Sequence, residues 1–332
     1  MSSLTSRLTL PVWFICHGAG PMPVLCASGV KSFEHHAELV ACLKNLAASI
    51  DQSYIRAILC ISAHLDDRTV PTLCSSLKPE VIYDYDPEHK SFPREAFQIE
   101  YAAPGEPAIA ERAYNLISAA GIKCELDHKQ GWDHGCWVPL SVMFPKANIP
   151  VVEMSICNRS NPEAHAALGR AIAPLRDEGV LIIGSGMTYH NLDYMNNFTR
   201  TLKSTGKPPD VAVAPESEVF DMWLKQAICQ NTGAARVNAT KLWETAPSSF
   251  DAFPEKQRPT MGGDDFHLTP LFTCMGAGYD DNAVAVAETV LLGCKLSSFV
   301  FSGMDGDGGE SMAGATTTVI HVQEASSEEQ KK

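Results

Sequence analysis

Five histidines stand where imidazole side chains could act together. His17, His64 and His190 each follow an apolar run that is typical of a buried strand. A fourth, His267, stands in GGDDFHLTP at the start of a predicted helix, and His134 lies in the turn-rich stretch GWDHGCW. Imidazole is the commonest protein ligand of transition metals at neutral pH. These residues are therefore candidates for one metal centre.

Each of these histidines, taken alone, is more often a structural residue than a ligand, because strand ends commonly carry polar side chains. The joint pattern is more informative. Several imidazoles at the tips of parallel strands would converge on one ion, and nearby aspartates could orient their rings. The sequence contains no H-E-x-x-H motif to fix two ligands on one helix. The pattern predicts a multi-histidine metal site and leaves a structural role for each histidine open.

Short apolar runs alternate with helical patterns along the chain. The predicted strands cover 12–16, 55–62, 122–126, 150–156, 180–184, 297–302 and 316–322. Helices are predicted around 39–50, at 107–120, 162–178 and 213–230, and from near Asp265 to Gly276. This alternation predicts a single α/β domain with a mixed, largely parallel sheet flanked by helices. Sites in such sheets form beyond the carboxyl ends of the strands, which is where the histidines fall.

Composition and charge exclude some classes of partner. The chain has 332 residues, 45% of them hydrophobic and 20% charged, with a net charge of -13. This acidic balance argues against a nucleic acid or an anionic membrane surface as the main partner. No apolar run approaches the roughly 18 residues of a membrane span. We expect a catalytic domain over 8–323 and a polar tail over 324–332.

The cysteines indicate a reducing compartment. There are 11, an odd number, and no two are spaced as C-x-x-C. They form neither a disulfide framework nor a thiolate zinc site. The apolar stretch 8–16 is short and contains Pro11, so we interpret it as a first strand and not as a signal peptide. A cytoplasmic location is expected.

Six blocks in chain order resemble one known family, the DOPA extradiol dioxygenases of the class III, protocatechuate-4,5-dioxygenase-like superfamily. The resemblance spans about residues 12–302. The blocks are FICHGAGPM (14–22), ISAHL (61–65), YDYDPEHKSFPREAFQIEYAAPGEPAIAER (83–112), WDHGCWVPL (132–140), GSGMTYHNL (184–192) and HLTPLF (267–272). Each block is short, but their shared order makes the resemblance specific.

The resemblance implies a role for each of the five histidines. His17, His64 and His267 would be the metal ligands. His190 would be the catalytic acid/base, and His134 would face the substrate and take part in hydrogen bonding or proton transfer. It implies Fe(II) for activity, with Zn(II) as another occupant, since zinc binds imidazole more tightly. The substrates would be O2 and a small-molecule catechol such as DOPA, opened beside its two hydroxyls. A homodimer is left open.

The residues that depart from the family pattern bear more on the identity of the substrate than on the binding of a metal. Ala19 and Gly20 stand where Ser-Pro is common, Leu65 replaces a tryptophan, and Tyr83 replaces a histidine. Residues 86–90 resemble an insertion, and the segment 193–262 is long. Tyr83, Tyr189 and Trp137 are candidate pocket residues, although core packing is the favoured interpretation for Trp137.

Two other functions remain compatible with the sequence. A zinc hydrolase could use the same histidines with a carboxylate general base, for which Asp66, Asp133 and Asp264 are candidates. A non-catalytic binding protein on the same fold is the other alternative. GSGM (184–187) lacks the spacing of a dinucleotide fingerprint. GMDGDGGES (303–311) lacks the ligand order of a calcium loop and is interpreted as a surface turn.

Overall fold

The computed structural model describes residues 8–85, 92–157, 161–207, 209, 213–241, 243 and 267–303. These residues form one α/β domain. Its strands are β1 (Val12–Cys16), β2 (Ala57–Ser62), β3 (Thr72–Cys74), β4 (Glu125–Asp127), β5 (Val151–Ser155), β6 (Val180–Gly186), β7 (Asn282–Leu291) and β8 (Cys294–Ser302). Its α-helices are α1 (Met22–Ala27), α2 (Ala37–Ala48), α3 (Pro107–Ala119), α4 (His134–Met143), α5 (Pro162–Ile172), α6 (Leu192–Thr205), α7 (Pro215–Cys229), α8 (Gly233–Thr240) and α9 (Thr269–Ala277).

The eight strands form one mixed sheet in the order β4-β3-β5-β2-β6-β1-β8-β7. The central strands β5, β2, β6 and β1 are parallel to one another. Strand β3 runs antiparallel to β5, and β8 and β7 extend the other side as an antiparallel pair. The predicted mixed, largely parallel sheet is confirmed.

The sequences of the central strands suit burial on both faces of the sheet. Every residue of β1, β2, β5 and β6 is buried, and 11 of the 23 are Val, Ile or Leu, which fits parallel strands covered by helices. Helix α9 packs on α5 and on β6, while α2 packs on α4. This fixed core holds the carboxyl ends of β2, β6 and β1 side by side.

Most predicted elements are observed near their expected limits, but two predictions differ and several elements were not predicted. The stretch around His134 begins helix α4 and is not a turn, because the Asp133 side chain caps it. The helix expected over 162–178 ends at Ile172, where a 3₁₀ turn with Pro174 follows. Helices α1, α6 and α8, strand β3 and the ten-residue strand β7 were not predicted. The strand expected at 316–322 and the tail 324–332 lie outside the described residues.

None of the helices in the described ranges combines the length and the apolar character that crossing a membrane requires.

Candidate metal centre

Three of the predicted site histidines leave neighbouring parallel strands at the same edge of the sheet. His17 follows β1 directly, His64 comes two residues after β2, and His190 lies four residues after β6. The order β2-β6-β1 makes these three strands adjacent. The parallel direction predicted from sequence therefore brings the three side chains to one rim.

His267 reaches the same rim from a distant part of the chain. Its carbonyl accepts a hydrogen bond from the backbone N–H of Met187, at 3.0 Å. A Cβ at Gly186 would lie only 2.0 Å from that carbonyl oxygen. The end of β6 thus needs glycine for the segment before α9 to approach it.

His134 is the first residue of helix α4. The Asp133 carboxylate caps this helix by accepting from the backbone N–H of Cys136, at 3.1 Å. The Ser62 hydroxyl donates to the same oxygen at 2.7 Å, which ties the helix to the end of β2. A Cβ at Gly135 would lie 2.5 Å from Ser62 Oγ and 3.0 Å from His64 Cδ2. Glycine at 135 therefore lets α4 begin directly against His64.

The Nε2 atoms of three histidines meet at the centre of the rim. Those of His17 and His64 are 3.3 Å apart, and those of His64 and His267 are 3.2 Å apart. Imidazole nitrogens that share one ion at about 2.1 Å lie roughly 3.0–3.4 Å from one another. His17 is buried, and the other two rings are partly exposed. Both separations fit a single metal ion.

The protonation of His17 also suits a metal ligand. The Ser185 hydroxyl donates its proton to the carbonyl of Gly135, so it can only accept from His17 Nδ1, which lies 3.1 Å away. A neutral His17 ring then carries its lone pair on Nε2. Burial and the neighbouring imidazoles hold the pKa of His64 well below its ordinary value of 6.5. Neutral imidazole is the form that binds metal.

The two other predicted residues flank the three central histidines. The His190 ring stacks on that of His267, with 3.8 Å between centroids and 23° between planes. The His134 ring lies 3.8 Å from that of His64 on the other side. All five histidines singled out in the sequence are thus brought together by the fold.

Asp84 is a residue of the site that sequence reasoning did not single out. Its carboxylate accepts from His134 Nδ1 at 2.7 Å and from the His134 backbone N–H at 2.8 Å. Burial alone would raise the pKa of this carboxyl, but the hydrogen bonds from His134 outweigh it and hold the pKa below its ordinary value. The available signal was its place after Tyr83, in the block that resembles Asp-Phe-x-x-Phe-Pro.

Of the carboxylates considered as a general base, Asp133 has a structural role among the described residues. Asp133 is buried and serves as the helix cap. Burial, followed by the charge of Asp84, raises its pKa to about 6. Asp66 makes contacts of its own in the described structure, and Asp264 lies outside the described residues. Among the described groups, the carboxylate placed with the histidines is Asp84.

Aromatic rings line one side of the site. Tyr85 meets His134 edge to face with 5.9 Å between centroids, and Phe92 packs on Tyr85 at 5.2 Å. Tyr83 is partly buried, and its hydroxyl donates to the carbonyl of Ile99. Trp137 is fully buried, as expected for a packing residue, and Tyr189 is also buried. This side of the histidine cluster is suited to a flat, apolar ligand.

The sequence comparison identifies the family to which this fold and site belong. Residues 13–261 match the model described as the catalytic LigB subunit of aromatic ring-opening dioxygenase. The chain belongs to this family of metal-dependent dioxygenases. It is accordingly an oxygenase-type enzyme that takes a small-molecule substrate and O2.

Individual relatives agree with the family assignment. The chain is 31% identical over 297 residues to "Dioxygenase tasH" of Hapsidospora irregularis, covering 89% of this chain and 86% of that protein. It is 34% identical over 272 residues to the 4,5-DOPA dioxygenase extradiol of Beta vulgaris, covering 81% and 87%. The crystal structure of an uncharacterised Escherichia coli K12 protein, JW3007, has the same fold, with a TM-score of 0.62 and 26% identity. It covers 88% of this chain and 100% of that one.

Proposed function

We propose that this protein is an Fe(II)-dependent extradiol dioxygenase that opens the ring of a catechol such as DOPA with O2. His17, His64 and His267 would hold the metal, and His190 and His134 would act as acid/base residues. The observation that carries the proposal is that Nε2 of His64 lies 3.3 Å from Nε2 of His17 and 3.2 Å from Nε2 of His267 on the rim of the sheet. The relatives named as DOPA dioxygenases support the substrate class.

The donor set favours iron chemistry over hydrolysis. His17, His64 and His267 would hold the metal and would leave further coordination positions for substrate and O2. Fe(II), when bound, would supply a Lewis acid and redox centre that brings the two reactants into contact. A zinc hydrolase would need a free carboxylate base. Asp84, the described carboxylate beside the histidines, already accepts two hydrogen bonds from His134.

The residues around the three ligands would bind the substrate and move its protons. The aromatic side formed by Tyr85 and Phe92 would contact the flat ring. Catechols hold their hydroxyl protons at neutral pH, so binding through both oxygens requires a proton acceptor. The rings of His134 and His190 flank the ligands and can take a proton and later return it.

Oxygen uptake tests this proposal directly. The protein would be stripped of metal, reloaded anaerobically with Fe(II) and offered L-DOPA and a panel of simple catechols. We expect O2 consumption together with a yellow ring-cleavage chromophore, and the panel would rank the substrates. Absence of uptake with every catechol, although Fe(II) is bound, would contradict the proposal. Hydrolytic turnover by the Zn(II) form without O2 consumption would favour the hydrolase instead.

A further inference from the structure

Asp84 holds His134 at two points. One carboxylate oxygen accepts from the His134 backbone N–H and the other from ring Nδ1, at 2.8 and 2.7 Å. The loop that carries Asp84 is itself fixed to the residues before α4, because Ile82 N–H donates to the carbonyl of Trp132 at 2.7 Å. The Trp137 indole N–H also donates to the carbonyl of Ile82. The carboxylate therefore has a defined position relative to the ring.

This contact decides which ring nitrogen of His134 carries the proton. An ionised carboxylate can only accept hydrogen bonds, so Nδ1 must be the donor. In the neutral ring, the lone pair then lies on Nε2. The His134 ring is nearly buried, and its centroid lies 3.8 Å from that of His64. Water therefore has little access to the ring nitrogens.

We infer that Asp84 is a positioning residue that keeps His134 in the Nδ1–H tautomer, so that Nε2 of His134 is a proton acceptor of the site. The inference deepens the proposed dioxygenase function and rests on it for its kinetic consequence. The tautomer itself follows from the two hydrogen bonds and does not depend on the reaction.

The same atoms offer one competing explanation. His64, Asp84 and His134 also place ligand atoms close enough to hold a metal ion. The 2.7 Å separation of Asp84 Oδ2 from His134 Nδ1 is that of a charge-assisted hydrogen bond. Oδ2 is 3.8 Å from His64 Nδ1, while His64 directs Nε2 to the other two ligands. Hydrogen bonding explains the arrangement without a second ion.

Asp84→Asn is the sharpest variant, because it keeps the shape and changes the donors. The amide oxygen would accept from the backbone N–H, which leaves the amide NH2 facing Nδ1. His134 would then carry its proton on Nε2 and lose the acceptor. We expect kcat for the best catechol to fall by about 10²–10⁴-fold, with a much smaller change in KM and unchanged metal stoichiometry. Asp177→Asn, at an exposed aspartate that accepts from Thr9, is the matched control.

The ¹⁵N NMR spectrum of the full chain labelled at histidine provides a readout that needs no turnover. Zn(II) loading keeps the sample diamagnetic, and His134→Gln assigns the signals. We expect a protonated Nδ1 and an unprotonated Nε2 in the wild type, and the reverse in Asp84→Asn. The same His134 tautomer in both proteins, or full kcat in the variant, would overturn the inference. Loss of the Nδ1 proton with a second equivalent of Zn(II) bound would favour a metal there.

If no catechol is oxidised by the wild type, the proposed function fails while the ¹⁵N spectra still decide the tautomer. If the wild type oxidises a catechol but the ¹⁵N spectra of the wild type and Asp84→Asn show the same His134 tautomer, the proposed function is supported and the positioning role of Asp84 is refuted. The two failures are therefore distinguishable.

Discussion

The polar groups on the rim of the sheet and those buried behind it are of the same types but differ in their partners. On the rim, the imidazoles and Asp84 contact one another. Behind it, Glu153 on β5 and His36 are both fully buried. The His36 ring nitrogens have no hydrogen-bond partner among the described residues, and Glu153 faces the carboxyl group of Asp133. This difference in surroundings changes which of the carboxyl groups carry a proton.

Asp84 and Glu153 illustrate this difference. Hydrogen bonds from His134 hold the pKa of Asp84 below its ordinary value, so it stays ionised. Burial, followed by the negative charge of Asp133, raises the pKa of Glu153 well above 4.5, so it stays neutral. The charge state of each carboxyl therefore follows from its burial and its neighbours. Asp84 is therefore charged beside the histidines, whereas Glu153 behind them is neutral.

The largest expected effect is on metal binding. His17→Ala, His64→Ala and His267→Ala should each lower the metal content from about one ion per chain to near zero, because two imidazoles alone bind weakly. Metal analysis after dialysis measures this, with circular dichroism to show that the fold is retained. His128→Ala, an exposed histidine bonded to Ser75, is the control. Full occupancy in all three variants would refute the ligand assignment.

Replacing the neutral carboxyl behind the rim should change stability and leave the metal in place. Glu153 is neutral when folded and ionised when unfolded at neutral pH. Its contribution is therefore present below pH 4.5 and is lost as pH rises, by up to about 1.4 kcal/mol per pH unit. Glu153→Gln should thus raise the melting temperature by several degrees near pH 8 and by little near pH 4.

Melting curves of Glu153→Gln and of the surface variant Glu163→Gln, recorded across this pH range, would decide the point. Glu163 pairs with Lys241 at the surface, so its variant should follow the wild type. A wild-type pH slope retained in Glu153→Gln would show that Glu153 is not the neutral group.

A smaller effect is expected from His36 in acid. Burial, followed by the charge of His35, lowers the pKa of His36 to about 3. The unfolded chain takes up a proton near pH 6.5 and the folded chain does not, so stability is lost as pH falls below 6.5. Between pH 6.5 and about 5.5 the loss should reach roughly 1 kcal/mol.

His36→Leu should remove this acid loss, as measured by urea unfolding over the same range. His128→Leu is the control at an exposed site. An unchanged acid slope in His36→Leu would contradict the assignment.

The sequence predicted the central sheet well because its signal there is local. Runs such as VWFIC and AILCIS are short and almost wholly apolar, as is typical of strands buried on both faces. It failed at α4, where GWDHGCW contains glycine and turn residues but a side-chain cap starts a helix. It also missed β7, whose middle residues are all partly exposed and give neither a buried run nor a clear alternation.

The sequence by itself determined that His17, His64 and His190 would share a rim, because each follows a strand and parallel strands end together. It also fixed the family through blocks in order. Only the tertiary structure decided which side chains contact one another in the site. His267 meets His64 across 203 positions, and Asp84 meets His134 across 50. These contacts join loops whose approach depends on packing at Gly186 and Gly135, and no local pattern of residues specifies such an approach.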